Sequence, residues 1–230
     1  MDVLPRTVRS SHRRAMGLIE LGLVEPPMDC ARCERLTAFR GSNHVREPAW
    51  HNAPVPSFGP TSARLLIVGL APGLKGANRT GRPFTGDFAG DLLYGTLIKF
   101  GFATGVFKAD PKDGLTLQRT MITNAVRCVP PQNKPLPAEI RSCNSFLRLR
   151  ISALPRLRAV VALGRIAHDG LLTALDVRKA AYPFGHGACH HIGGLRVFDS
   201  YHCSRYNTNT RVLTPEMFRS VFAKVRADLT

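Results

Sequence analysis

The chain has 230 residues, enough for one large α/β domain or two small ones, and 44% of them are hydrophobic, which is sufficient for a sizeable core. Lysine and arginine number 32 against 16 aspartates and glutamates, so the net charge of +16 favours a polyanionic partner, with nucleic acid ahead of an anionic membrane. No apolar run reaches the roughly 18 residues of a membrane span, and the start of the chain lacks the apolar region of a secretory signal. We therefore expect a cytoplasmic protein that binds nucleic acid and has no membrane partner.

Residues 1–28 are predicted to form a basic arm with a short helix through Met16–Leu23, which Pro26 and Pro27 would end. Because the arm is poor in acids, a transit peptide is the alternative to a disordered or DNA-contacting arm. Residues 29–230 are predicted to form a single domain, since no stretch among them has the composition of a linker.

The stretch from Arg64 to Leu93 organises this domain. Leu65–Val68 has the apolar, branched pattern of a buried parallel strand, and a helical pattern follows the loop that begins at Gly69. The loop is rich in glycine but has neither the P-loop spacing nor the dinucleotide-binding spacing. Because ligands in open α/β sheets bind beyond the carboxyl ends of the strands, we expect the chemistry to lie between Gly69 and Asp87. A glycine-rich surface loop without function is the alternative.

Three further strands are predicted, over Met121–Val126, Ala159–Leu163 and Leu195–Ser200, and a last helix begins at Pro215. The segment Pro183–Gly194 is predicted to be a loop. Four strands that alternate with helices predict a three-layer α/β/α fold with a mostly parallel central sheet.

The cysteines indicate a reducing compartment and metal or cluster ligation rather than disulfides, because six of them occur without a secretory signal. Cys30 and Cys33 form a C-x-x-C pair, whereas Cys128 and Cys143 lie 15 residues apart. Four thiolates can bind zinc or an iron–sulfur cluster, and the wide second spacing favours a cluster; buried, inert cysteines are the alternative. The two remaining cysteines, Cys189 and Cys203, are expected to be inert. The glycine-flanked loop with His186, Cys189, His190 and His191 is not expected to form a second metal site.

Three stretches resemble motifs of the uracil-DNA glycosylase superfamily: GLAPGLKGANRTGRPFTGD, TNAVRCVPP and SYHCSRYNTNT. The chain is most similar to the iron–sulfur family 5, or type b, and the resemblance spans roughly Cys30 to Thr214. It implies a four-stranded parallel sheet between helices, and excision of uracil and other deaminated bases, such as hypoxanthine and xanthine, to leave an abasic site in DNA. It also implies a structural [4Fe–4S] cluster held by four cysteines, which are Cys30, Cys33, Cys128 and Cys143.

The first motif departs from its relatives at three positions. The iron–sulfur family-4 enzymes carry Glu where Leu70 stands, and the long-known uracil enzymes carry Asp where Ala71 stands and Tyr where Gly73 stands. The water-activating group of those enzymes is therefore absent, and in family 5 the resemblance gives much of its role to Asp87. The loss of the bulky side chain at Gly73 implies a looser pocket and a wider range of bases.

The resemblance also implies a division of roles around a base flipped out of the duplex. Phe84 would stack on the base, Asn124 would hydrogen-bond its edge, and the backbone amides of Gly69, Ala71 and Gly73 would hold its carbonyl oxygens. His202, neutral or cationic, would stabilise the departing base anion, and Asp87 would orient the water and oppose the positive charge of the sugar. The alternatives are a strand-end cap for Asn124, a helix cap for Asp87 and a packed residue for His202.

DNA contacts are expected from two groups of residues. Arg79, Arg82 and Ser204 would bind phosphates, and Arg205 and Tyr206 would wedge into the gap that the base leaves. No lysine lies in the motif positions that could form a Schiff base, although Lys75 is near, so we predict a monofunctional, monomeric glycosylase of double-stranded DNA. The alternatives are a non-catalytic iron–sulfur or zinc DNA-binding protein, and a relative that binds uracil-DNA covalently, whose histidine-containing insert is not seen after Gly86.

Overall fold

The computed structural model describes residues 24–230, so the helix predicted over Met16–Leu23 lies outside the described residues. Within that range no helix is both long and apolar enough to cross a membrane. The helices are α1 (Glu34–Arg46), α2 (Ala77–Thr80), α3 (Phe88–Lys99), α4 (Pro137–Ser152), α5 (Arg165–Ala174), α6 (Arg205–Asn209) and α7 (Pro215–Leu229), with short 3₁₀ turns at Pro131–Asn133 and Lys179–Ala181. The strands are β1 (Leu65–Gly69), β2 (Ala103–Thr104), β3 (Thr116–Leu117), β4 (Thr120–Asn124), β5 (Ala159–Leu163), β6 (Cys189–Ile192) and β7 (Leu195–Ser200).

The central sheet has the strand order β4-β1-β5-β7-β6, and its first four strands are parallel. Leu65 of β1 is in register with Thr120 of β4 on one side and with Ala159 of β5 on the other. Every residue of β1, β4 and β5 is buried, which explains why these strands read as apolar runs rather than as alternating patterns. The predicted mostly parallel sheet is confirmed.

Helices cover both faces of this sheet. Leu65 and Ile67 of β1 pack with Leu93 of α3 and Phe218 of α7, whereas the alternate residues of the strand face α4 and α5. The start of α7 is fixed by the Thr214 hydroxyl, which accepts a hydrogen bond from the Met217 backbone N–H at 3.2 Å. The predicted three-layer arrangement is therefore present.

The sheet has five strands rather than the predicted four, because the segment Pro183–Gly194 is not only a loop. It contains β6, which runs antiparallel to β7 and pairs Ile192 with Leu195. The connection is the pair Gly193 and Gly194, both with positive φ (57° and 89°), which is the backbone that a two-residue hairpin turn requires. The histidines of β6 obscured this hairpin signal in the sequence.

Candidate active site

An open cleft of about 820 Å³ lies at the carboxyl edge of the sheet. Phe84 and Asp87 reach it from the loop before α3, Asn124 from the last position of β4, and His202 from the segment after β7. Parallel strands end at the same edge of a sheet, so three separate parts of the chain meet here. The structure thus brings together the four side chains that the sequence singled out; their roles remain predictions.

The Phe84 ring forms one wall of the cleft. It is 6% exposed and nearly parallel to the His202 imidazole, with ring centroids 5.9 Å apart and planes inclined by 27°. Its backbone has φ of +53°, an uncommon conformation for a bulky residue. Two glycines make room for it: a Cβ at Gly69 would lie 2.6 Å from Phe84 Cζ, and a Cβ at Gly90 would lie 2.1 Å from the Phe84 carbonyl oxygen.

The Asn124 side chain is 3% exposed, and its Oδ1 is buried without a hydrogen-bond partner. Between residues 24 and 230 no protein group hydrogen-bonds this side chain, so the predicted alternative of a strand-end cap does not describe it. Leaving a buried acceptor unsatisfied costs about 1–3 kcal/mol. Such an amide is available to a ligand, and Gly69, its register partner on β1, leaves the space for it.

The Asp87 carboxylate is also without partners. Asp87 occupies the position before α3, but its side chain does not cap the helix, and Oδ1 is buried without a hydrogen bond. Burial raises the pKa of Asp87 above its ordinary value. The nearby backbone amides of Gly90 and Ala89 offset part of that rise in pKa, although neither makes a hydrogen bond of normal geometry to the carboxylate. The carboxylate is thus free to accept a hydrogen bond from another molecule.

The His202 imidazole is neutral at physiological pH, because burial lowers its pKa to about 4. Its backbone is fixed by Asn207, whose Nδ2 donates to the His202 carbonyl at 2.8 Å. The neighbouring Cys203 is fully buried and its thiol pKa is raised, which fits the expected inert role. Cys189, in contrast, is exposed on β6, so burial cannot make it inert.

Four of the five predicted DNA contacts are at or near the rim of the cleft. Ser204 and Arg205 line it, and the Ser204 hydroxyl also accepts a hydrogen bond from the Asn207 backbone N–H at 3.3 Å, which caps α6. Tyr206 is 74% exposed, and Arg79 is exposed on α2. These positions are compatible with contacts to a duplex at the cleft.

Arg82 is the exception, and its predicted phosphate contact is wrong. The side chain is 5% exposed and forms two 2.8 Å bonds to the Asp113 carboxylate and a 2.7 Å bond to the Thr85 hydroxyl. Its guanidinium also lies 5.4 Å from the Tyr94 ring centroid. Arg82 therefore ties the loop of Asp113 to the loop that carries Phe84, and it has no access to DNA.

The sequence did not point to Asn133, which lines the cleft from the proline-rich segment after β4. Asn133 has φ of +57°, a conformation that asparagine tolerates better than most residues. The only available signal was its turn-forming surroundings, VPPQNKP, which carry no chemical information.

The four cysteines of the resemblance line a second, small cavity of about 20 Å³. Within the described chain, no three of their sulfur atoms lie within 4.8 Å of one another, whereas the ligands of a tetrahedral zinc ion are about 3.8 Å apart. The Arg127 backbone N–H donates to the Cys143 sulfur at 3.3 Å, a contact of the kind that surrounds cluster ligands.

The charges around this cavity fit an anionic group. Burial raises the thiol pKa of Cys128 to about 12 and that of Cys143 to about 11, so only a bound metal or cluster would keep them as thiolates near neutral pH. Two buried arginines are close: Arg40, whose guanidinium donates to the Cys30 carbonyl, and Arg127, whose guanidinium also pairs with Glu25.

Comparison with known proteins gives the class of protein that this fold and cleft define. The family model of the uracil DNA glycosylase superfamily matches residues 56–226. A type-5 uracil-DNA glycosylase of Thermus thermophilus is 46% identical over 204 residues, covering 86% of this chain and 92% of the relative. A type-5 uracil-DNA glycosylase of Pyrobaculum aerophilum is 40% identical, covering 87% of this chain and 89% of the relative.

The chain therefore belongs to the uracil-DNA glycosylase superfamily and, within it, to the type-5 enzymes. A type-4 uracil-DNA glycosylase of Archaeoglobus fulgidus is less similar, at 32% identity, with 54% of each chain covered.

Proposed function

We propose that the chain flips uracil out of double-stranded DNA and hydrolyses the bond between the base and the sugar, leaving an abasic site. The observation that carries this proposal is the convergence of Phe84, Asp87, Asn124 and His202 in one cleft, on a chain with a net charge of +16. The type-5 relatives, which share most of their length with this chain, support it.

The proposed reaction breaks the C1′–N bond, and the electron pair leaves with the base. The neutral His202 donates a hydrogen bond to the departing base, which stabilises the developing anion without transferring a proton in advance. Asp87 accepts a hydrogen bond from the attacking water and opposes the positive charge on the sugar. The water oxygen bonds to C1′, and its proton passes to Asp87 or to solvent.

Base recognition is proposed for one unpartnered polar group of the cleft wall, the Asn124 amide, and for the Phe84 ring. Phe84 stacks on the extrahelical base, and the Asn124 amide, whose Oδ1 has no protein partner, pairs with its edge. Neither Leu70 nor Ala71 carries a carboxylate, and Gly73 adds no side chain to the cleft of about 820 Å³. We therefore propose that hypoxanthine and xanthine are also accepted.

We further propose that Cys30, Cys33, Cys128 and Cys143 hold a [4Fe–4S] cluster. The wide sequence separation of Cys128 and Cys143 and the buried arginines beside the cavity support this choice over zinc. The cluster would be structural, since it would join the segment before α1 to the β4–α4 connection, through Cys128, and to α4 itself, through Cys143. It would take no part in bond cleavage.

A panel of short duplexes, each with one modified base, tests the activity. We expect alkali-labile abasic sites in the uracil duplex and, more slowly formed, in the hypoxanthine and xanthine duplexes. Binding without abasic sites would favour a non-catalytic protein, and a DNA adduct that resists denaturation would favour a covalent relative. The visible absorption spectrum of the same preparation tests the cluster, because a zinc protein has no charge-transfer band there.

A further inference from the structure

A row of arginines crosses the amino-terminal edge of the sheet, opposite the cleft. Arg119, Arg64 and Arg158 immediately precede β4, β1 and β5, and Arg196 is the second residue of β7. Backbone hydrogen bonds link them in this order: Arg64 N–H donates to the Arg119 carbonyl at 2.7 Å, Arg158 N–H to the Arg64 carbonyl at 2.9 Å, and Arg196 N–H to the Arg158 carbonyl at 2.9 Å. Arg119, Arg64 and Arg158 are thus direct neighbours on their strands. Arg196 lies one residue further along, in register with Ala159.

The side chains of this row, which we call the basic edge, are largely uncompensated. In the described part of the chain the guanidiniums of Arg64, Arg119 and Arg158 make no hydrogen bond or ion pair. Arg196 pairs with Asp228 at 2.8 Å, yet its Nε is buried without a partner. Like charges on neighbouring strands repel one another, so the row costs stability unless an anion lies over it.

A groove of about 440 Å³ runs along the basic edge. Arg64, Arg158 and Arg196 line it together with His191, and Asp228 is the one acid among its described lining residues. The turn at Gly193 and Gly194 forms part of its floor without adding any side chain. The groove is therefore open to a ligand that carries several negative charges.

The length of the row suits a short stretch of a nucleic-acid strand. Neighbouring strands lie about 4.8 Å apart, so four arginines span roughly 14 Å. Successive phosphates of a DNA strand advance about 3.4 Å along the helix axis, so the row faces about four of them. Arginine is also the residue whose planar fork fits phosphate oxygens in pairs.

An acidic protein is the less suitable occupant. Protein interfaces have an apolar, often aromatic, centre, whereas none of the exposed large hydrophobic residues in the described chain lines this groove. We propose that the basic edge binds the backbone of a second DNA segment while the cleft holds the first. The enzyme would then pass between segments without full release. This inference rests on the proposed function only in its choice of DNA as the anion.

The test uses full-length protein whose cleft is occupied by a short duplex with a uracil nucleotide that resists hydrolysis. Binding of a second, undamaged labelled duplex is then measured by fluorescence anisotropy over a range of salt concentrations. The test variant is Arg64→Ser with Arg158→Ser, and the control, Lys112→Ser with Arg141→Ser, removes the same charge at exposed positions away from the basic edge.

We expect the wild type and the control to bind the second duplex, and the test variant to bind it at least tenfold more weakly, with a salt slope shallower by about 2 because two phosphate contacts are lost. Single-turnover excision from a short duplex should be unchanged in both variants, which separates failure of this inference from failure of the proposed function. The inference is overturned if the wild type binds no second duplex, or if the test and control variants lose the same affinity for it. It is also overturned if the test variant loses excision on the short duplex, or if poly-glutamate of equal charge binds the basic edge more tightly than DNA.

Discussion

A Cβ atom at Gly76 would lie 2.3 Å from Oδ2 of Asp87, a distance that non-bonded atoms do not tolerate. A Cβ at Gly73 would lie 3.0 Å from the same oxygen. The glycines of this loop therefore leave room for a carboxylate side chain, in addition to any contact between their amides and a ligand. The position of Asp87 depends on residues that take no direct part in the proposed chemistry.

Gly76→Ala should displace the Asp87 carboxylate and slow single-turnover excision of uracil by about a hundredfold, since displacements near 1 Å have effects of that size. The matched control is Gly95→Ala on α3, where nothing lies within 4 Å of the new methyl group. The control should keep the wild-type rate and gain about 0.5–1 kcal/mol of stability, because alanine favours the helix. Equal rates for Gly76→Ala and wild type would show that excision does not depend on the position of the Asp87 carboxylate.

Asp87→Asn should raise stability while it lowers activity. Burial raises the folded-state pKa of Asp87 above its ordinary value of 3.8, so the carboxyl group destabilises the folded protein increasingly as the pH rises above 3.8. At pH 7 the variant should be more stable than wild type, and the gain should disappear as the pH falls towards 3.8. Denaturant unfolding at several pH values measures this. Asp176→Asn, an exposed control, should change nothing, and a destabilised Asp87→Asn protein would contradict the argument.

The buried pair of His168 and Asp199 should make the protein less stable as the pH rises above neutrality. His168 Nδ1 lies 2.7 Å from the Asp199 carboxylate and Nε2 lies 2.9 Å from the Tyr182 carbonyl, so both ring nitrogens face acceptors. His190 also reaches the Asp199 carboxylate, at 3.3 Å. Although burial lowers the pKa of His168, the hydrogen bond to the Asp199 carboxylate and its charge raise that pKa above its ordinary value of 6.5. The stabilisation is then complete below pH 6.5 and is lost as the pH rises through the raised pKa.

His168→Gln should remove this dependence and cost about 3 kcal/mol at pH 6, because it leaves the Asp199 charge without its buried partner. Urea unfolding at pH 6 and pH 9 gives the comparison, with the exposed His191→Gln as the control. If the variant and wild type lose the same stability between the two pH values, the pair is not the source of the dependence.

The proposed [4Fe–4S] cluster predicts different outcomes for the substitutions Cys128→Ser and Cys189→Ser. Cys128→Ser should abolish the visible absorption band and lower the iron and sulfide content, because the buried Cys128 is one of the four proposed ligands. Cys189→Ser, on the exposed strand β6, should leave both unchanged. A wild-type preparation with one zinc per chain and no iron would contradict the cluster.

The sequence predicted the cleft better than it predicted the surroundings of the cleft. Asn124 and His202 could be placed because each follows a buried apolar run, and the ends of parallel strands meet at one edge. Arg82 could not be placed, since its partner Asp113 is 31 residues away and a charged residue in a loop reads as exposed. The close contact of Gly76 with Asp87 is likewise a property of packing that no local pattern encodes.

The most direct test of the account is the single-turnover rate of uracil excision from a short duplex by His202→Ala and by Asp87→Ala, measured with duplex binding in parallel. We predict that each rate falls by at least about a hundredfold, because each variant removes a group that acts on charge developing in the transition state, while duplex affinity stays within a few-fold of wild type. Wild-type rates in both variants would contradict the claim that these side chains, brought together in one cleft, carry out the reaction.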